Sequence, residues 1–371
     1  MKRVIMVSPR YLPIIGGAEV QCNRLVNELS ANYIDDVDVI GLVTRRVSPE
    51  LKRSEVIDGL KVTRIGPAGL GILKEYIFCI GLFVFLSINS KKYDVIHCHA
   101  TGIFGVVCSL VSKLFSKKVL LKISTNGEIS SLASGKIKYA ISSFLFKDIT
   151  IVSLNAEGYN ESCMYFPKAN TITIPNGISD VNFQAYDEVK NNILAEIYKE
   201  FGNNVKVGVF VGRVVKRKGI SELDELAQSG YLDDNNIVLF IVGDSSNQRD
   251  QYKIFSNSSR LIQAGSQKDV YPYLLASDFF ISPSYYEGLP NTVLEALNVG
   301  KYCLLSNIEP HIELMKDHQN MIDIFKVKNT ESIIECMDKM KEKETTTQKL
   351  HSKYKIFNVA NQYIRAYRGE V

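Results

Sequence analysis

Phe279-Phe280-Ile281-Ser282-Pro283, followed after three residues by Glu287-Gly288-Leu289-Pro290-Asn291-Thr292-Val293-Leu294-Glu295, is the stretch that decides the fold. Its first part is a short unbroken apolar run stopped by a proline, which reads as a strand buried on both faces, as in a parallel sheet. Its second part predicts a loop turning into a helix that begins near Leu289. The backbone between Gly288 and Asn291 then lies at a helix N-terminus, where unpaired N–H groups and the positive dipole end favour an anionic ligand. Glu287 stands at the mouth of the loop and Glu295 two turns inside the predicted helix, so one carboxylate faces a crevice and the other faces along it. A sugar diphosphate fits that combination.

Outward from this stretch, short β-branched runs alternate with longer amphipathic ones. Val4 to Ser8, Val37 to Thr44, Asp94 to Cys98, Val119 to Ser124, Thr150 to Leu154 and Thr171 to Pro175 form one series of predicted strands. Val205 to Val211, Ile237 to Val242, Arg260 to Ala264, Asp278 to Ser282, Tyr302 to Ser306 and Met321 to Phe325 form a second. Strands alternating with helices imply parallel sheets covered on both faces, here two doubly wound α/β halves facing each other across a cleft. The turn at Asn176-Gly177 and the polar, helix-forming segment Phe183 to Gly202 place the boundary near residue 180. The expected domains are 1–180, 181–345 and a C-terminal helical stretch, 346–371, that braces the first.

A chain of 371 residues with 46% hydrophobic and 23% charged content has material for two such domains. The apolar run after Met1 is cut at Pro9 and Arg10, too short for a signal peptide, so the expected location is the cytoplasm. Seven cysteines are scattered singly, with no metal-like spacing, and read as reduced thiols. Residues 1–175 carry 21 Lys and Arg against 14 Asp and Glu, so the front half is the basic one. Its clusters at Lys113, Lys117, Lys118, Lys122 and at Lys136, Lys138, Lys147 fit an anionic membrane surface, a phosphorylated lipid acceptor or ordinary solubility charge. Tyr76 to Ile88, 13 apolar residues against the roughly 20 needed to span a bilayer, reads as a core helix of the first domain ahead of a half-inserted anchor. Basic residues are not interleaved with exposed aromatics, so nucleic acid is not an expected partner.

Three further motifs carry chemistry. Gly16-Gly17 precedes the predicted helix Ala18 to Ala31 and lets a backbone approach a ligand, although on its own such a pair is more often a tight turn. Gly212-Arg213 and Lys218-Gly219 follow the first strand of the second half, where a guanidinium and an ammonium can neutralise a leaving diphosphate without a metal ion. Lys216 and Arg217 between them read as solvated turn residues. His97 and His99, spaced by two on one strand, share a face; lacking a third ligand they predict no metal, with His99 at the cleft edge near a sugar hydroxyl and His97 packed deeper. Ser124, Thr125 and Asn126 end another strand of the first half and are acceptor-side candidates.

Taken together, Gly16-Gly17, Gly212-Arg213, Lys218-Gly219 and the Glu287/Glu295 pair around Gly288-Leu289-Pro290 resemble the signature of family 4 retaining glycosyltransferases of the GT-B fold. The resemblance covers nearly the whole chain. It implies that Arg213 and Lys218 bind the diphosphate, Glu287 contacts the donor sugar, Glu295 holds the ribose hydroxyls, Gly16 and Gly17 lie beneath the phosphates, and His99 stands near the transferred sugar. Gly288, Leu289, Pro290 and Asn291 complete the donor loop. The sequence departs from the family where Glu309-Pro310-His311-Ile312-Glu313 replaces a Gly-Gly pair before a glutamate, and where Ser124-Thr125-Asn126-Gly127 lacks a histidine.

The resemblance implies transfer of a hexose or N-acetylhexosamine from a nucleotide-diphosphate sugar, a UDP-sugar first among them, with retention and with no cofactor or metal. The expected acceptor is a glycan or lipid-linked glycan of bacterial surface polysaccharide, met at the inner face of the cell membrane. Two alternatives stand beside it: a nucleotide-sugar 2-epimerase of similar form, which needs an acid/base set that the chain does not display, and a sugar-nucleotide-binding scaffold without turnover.

Overall fold

The computed structural model describes the chain except residues 15, 70, 124–126, 245–251, 255–256 and 341–348. Two compact units emerge, one of Met1–Ser179 with Lys353–Val371, the other of Asp180–Ser352.

The first unit is built on eight strands: β1 (Lys2–Ser8), β2 (Val37–Arg45), β3 (Ser54–Ile57), β4 (Leu60–Ile65), β5 (Val95–Cys98), β6 (Lys118–Lys122), β7 (Thr150–Ser153) and β8 (Asn170–Thr173), in the spatial order β3-β4-β2-β1-β5-β6-β7-β8. Every neighbouring pair is parallel except β3 and β4. Along β1 the side chains alternate between two cores: Val4 and Met6 pack on one face of the sheet, Ile5 and Val7 on the other. The first core is closed by the helix Gly17–Asn32 and by the last helix, Ile356–Arg368, through Val359, Ala360, Tyr363 and Tyr367. The returning segment begins at Lys353 rather than 346, and it is stitched to the first unit where the N–H of Ile178 donates to the carbonyl of Tyr354 at 2.8 Å.

Two differences from the expected first unit have clear causes. The antiparallel pair β3–β4 is a short edge hairpin whose residues alternate between exposed and covered, so it shows no apolar run; its signal was the Asp58-Gly59 turn, with both residues at positive φ. The helix Ile72–Ile88 is core on one side alone, through Phe78, Cys79, Leu82 and Leu86, while its other side is open to solvent. A segment that is apolar all round does not reveal in its sequence how much of its circumference meets the sheet.

The second unit contains β9 (Lys206–Val211), β10 (Ile237–Val242), β11 (Leu261–Gly265), β12 (Phe279–Ser282), β13 (Tyr302–Ser306) and β14 (Ile322–Phe325), all parallel, in the order β11-β10-β9-β12-β13-β14. Here β9 lies between β10 and β12, so the winding reverses between β9 and β12, as it does between β1 and β5 in the first unit. Crevices beyond the carboxyl ends of strands at such reversals are where open α/β sheets take their ligands. Both units are Rossmann-like, and together they constitute the GT-B fold.

Candidate functional site

The loop leaving β9 and the loop leaving β12 meet at the reversal point of the second unit. A 3-10 turn, Lys216–Lys218, ends at Gly219, whose φ of +70° is left-handed. A Cβ at Gly219 would come within 2.1 Å of the carbonyl oxygen of Pro283, so glycine is what lets the two backbones touch. A second tie is the N–H of Tyr285, which donates to the carbonyl of Arg217 at 2.8 Å.

That approach converges the basic turn on Glu287. The Lys218 ammonium donates to Glu287 Oε1, Ser284 Oγ donates to the same oxygen at 2.8 Å, and an Arg217 guanidinium nitrogen stands 3.9 Å from Oε2. Burial alone would push the Glu287 carboxyl up, but the charge and hydrogen bond of Lys218, the Ser284 hydroxyl and the charge of Arg217 together hold it below the ordinary glutamate value. Glu287 is therefore an ionised acceptor, held rigidly. Behind it, Ser306 Oγ donates to the carbonyl of Ser284 at 2.5 Å, and the fully buried His311 places Nδ1 3.0 Å from the carbonyl of Ser306.

Arg217, expected to be a solvated turn residue, belongs to this cluster: its side chain is largely covered and its guanidinium lies over the ring of Tyr286, 5.5 Å from the centroid. Ser284, Tyr286, Ser306 and His311 were not anticipated either. Ser284 had a signal, its position three residues before Glu287; Ser306 and His311 join through the tertiary packing of β13 beside β12 and had none. Lys216 is exposed and Arg213 is exposed just beyond the end of β9.

The donor loop differs from expectation in where its helix starts. The helix is Asn291–Asn298, because Pro290 holds an extended backbone at φ −76°, ψ 105° and a residue preceding proline, here Leu289, is steered away from helical torsions. Glu295 therefore stands about one turn inside the helix, not two, and is buried. Gly288, Leu289 and Pro290 are buried, and Asn291 is half-buried.

In the first unit, Gly16 and Gly17 open the helix Gly17–Asn32 after β1, with Gly16 in extended backbone at φ −159°. His99 continues β5, its N–H donating to the carbonyl of Val7 at 2.8 Å. His97 and His99 stack with ring centroids 4.3 Å apart, both are buried, and His97 Nδ1 lies 2.8 Å from the hydroxyl of Tyr367. Burial, and then the charge of Lys122, lower His97 to about 3; burial, His97 and Lys122 hold His99 well below its ordinary value. Both are neutral at pH 7. Lys122 itself is not a surface charge: it is buried beside these rings, 5.8 Å from the centroid of Tyr363, and burial lowers it to about 8. Ser124, Thr125 and Asn126 lie outside the described residues. Among the described residues no group of three or more His, Cys, Asp or Glu could hold a metal ion.

Residues 197–356 match a family model described as Glycosyl transferases group 1. The chain is 29% identical over 266 residues to the UDP-Gal:alpha-D-GlcNAc-diphosphoundecaprenol alpha-1,3-galactosyltransferase of Escherichia coli, covering 67% of this chain and 66% of that protein. It is 28% identical over 255 residues to the putative teichuronic acid biosynthesis glycosyltransferase TuaC of Bacillus subtilis, covering 66% of this chain and 60% of that one. The chain thus spans less than two thirds of the length of either relative, 66% of one and 60% of the other. Among solved structures, the sucrose-phosphate synthase of Thermosynechococcus elongatus superposes with a TM-score of 0.76 at 15% identity, covering 100% of this chain and 99% of that one.

Proposed function

We propose, from a chain whose second unit matches the group 1 glycosyl transferases, that this protein moves a hexose or N-acetylhexosamine from a nucleotide-diphosphate sugar, a UDP-sugar first, onto a glycan or lipid-linked glycan of bacterial surface polysaccharide, in the cytoplasm, with retention and without a cofactor. The observation that carries this reading is the convergence of Lys218, Arg217 and Ser284 on an ionised Glu287 at the β9/β12 reversal point. A carboxylate held by three partners accepts hydrogen bonds from sugar hydroxyls without moving, and the cations beside it, with Arg213 at the same strand end, attract the diphosphate.

In the transfer step the bond between the anomeric carbon and the diphosphate oxygen breaks, and its electron pair leaves with the diphosphate. The acceptor oxygen bonds to the anomeric carbon on the same face, and its proton passes to the departing diphosphate. Lys218 and Arg213 absorb the charge that develops on the leaving group. The Escherichia coli relative is named for a UDP-sugar donor, a diphosphoundecaprenol-linked acceptor and an alpha product, which supports the donor, acceptor and retention assigned to this chain.

The test is incubation with labelled nucleotide sugars and lipid-diphosphate-linked acceptors, with the anomeric configuration of the product read by NMR. Transfer with retention is expected, with Glu287→Gln and Lys218→Ala each lowering the rate at least about a hundredfold while the melting transition survives. Near-wild-type rates in both variants, or exchange at the sugar C2 without transfer, would refute the assignment.

A further inference from the structure

We propose that the outward side of three helices of the first unit, Ile72–Ile88, Ile103–Phe115 and Lys136–Leu145, is a docking surface for an anionic lipid bilayer. The helix Ile72–Ile88 buries Phe78, Cys79, Leu82 and Leu86 against the sheet. Leu73, Ile77, Ile80, Val84 and Ile88 recur at intervals of four, three, four and four residues, so they form one stripe on the opposite side, and all five are exposed. Ile80 is 66% exposed at its centre.

The neighbouring helices repeat the arrangement. Ile103–Phe115 packs against Ile72–Ile88 on one side, where Phe78 and Phe104 meet edge to face at 5.2 Å, and against Lys136–Leu145 on the other. Its Leu110 and Leu114 are exposed, as are Ile137, Ile141 and Phe144 of the third helix, with Ile137 at 79% and Phe144 at 71%. Because Leu82, Val111 and Leu145 all join the same core on one face of the sheet, the three outer sides share one face of the unit. Surface helices of a water-facing protein carry polar residues there.

Charge identifies the occupant. Between residues 72 and 148 there are ten lysines, of which Lys122 is buried, and four carboxylates, two of them paired within the unit, Glu75 with Arg45 and Asp94 with Arg3. Lys91, Lys92, Lys113, Lys136 and Lys147 are exposed around the apolar stripes, and Lys113 sits 5.3 Å from the ring centroid of Phe144, its ammonium donating to the carbonyl of Lys147. Apolar stripes framed by lysines match the boundary between acyl chains and acidic headgroups. A protein partner of ordinary surface would meet excess positive charge around an apolar centre. Among the described residues no helix is long and apolar enough to cross a membrane, so contact of this kind lies on the bilayer surface.

The experiment is sedimentation of the full chain with vesicles of phosphatidylglycerol and phosphatidylcholine, compared with phosphatidylcholine alone. Binding to the acidic vesicles, weakened by salt, is expected. Ile80→Glu with Phe144→Glu should lower the partition at least about tenfold, and Lys136→Gln with Lys147→Gln about tenfold on acidic vesicles alone. Since all four side chains point outward, melting temperatures should stay at the wild-type value; should the glutamate pair unfold the chain, the glutamine pair decides. Wild-type protein left in the supernatant, or partition unchanged by both pairs, overturns the proposal. So does a wild-type dimer in light scattering that the glutamate pair converts to monomer, since a second copy would then cover this face. No sugar donor enters the measurement, so its failure leaves the transfer reaction untouched.

Discussion

Replacing Gly219 with alanine separates two effects that the structure combines at the site. The residue has φ +70°, and an added Cβ would lie 2.1 Å from the carbonyl oxygen of Pro283. Left-handed torsions cost a residue with a Cβ about 1–2 kcal/mol. The contact adds to that, because the loops after β9 and β12 must part by about 1 Å, an overpacking cost of about 1–3 kcal/mol. Gly230 supplies the control: its φ is +81° and nothing lies within 4 Å of an added Cβ, so Gly230→Ala pays the torsional cost alone. Urea unfolding of the two variants should differ by about 1–3 kcal/mol, with Gly219→Ala the weaker. Parting those loops also draws Lys218 away from Glu287, so isothermal titration with a UDP-sugar should show lost affinity in Gly219→Ala and none lost in Gly230→Ala. Equal stabilities and equal affinities would refute the claim that this backbone contact assembles the site.

Two buried groups make predictions about the first unit. Lys122 is held at about 8 rather than 10.5, so at pH 7 its charge opposes folding in full, and stability rises with pH as the unfolded chain's extra proton is lost between those values. Lys122→Met should therefore stabilise the protein at pH 7 by up to about 3 kcal/mol in urea titration, and a loss of stability would show that the charge is compensated. His97 is lowered from 6.5 to about 3, so above pH 6.5 it has no effect, and below it the unfolded chain takes up a proton that the folded one refuses. Stability should fall as the pH is lowered through that window, by up to about 1.4 kcal/mol per unit for this one group, and His97→Gln should remove one proton from the slope; an unchanged slope would mean that the ring protonates in place.

The amino-acid sequence by itself determined what depends on neighbours along the chain. The runs Val4 to Ser8 and Ile237 to Val242 are strands because a short, β-branched apolar run between turn residues suits a strand buried on both faces, and their alternation with helices leaves a parallel, doubly wound sheet as the solution. Lys218 and Glu287 were legible for the same reason: each lies in the loop that leaves a strand, β9 or β12, and such loops at a reversal point face the ligand side. Tertiary structure alone decided the rest. Arg217 joins Glu287 because Gly219 allows a close approach between loops some seventy residues apart, and Lys122 is buried because its strand places it beneath Tyr363 of the last helix. The helix Ile72–Ile88 shows the limit most plainly. Its composition is apolar on every side, so local pattern could not say which side meets the sheet; only the packing of Phe78 and Leu82 into the core left Ile80 and Ile88 facing outward.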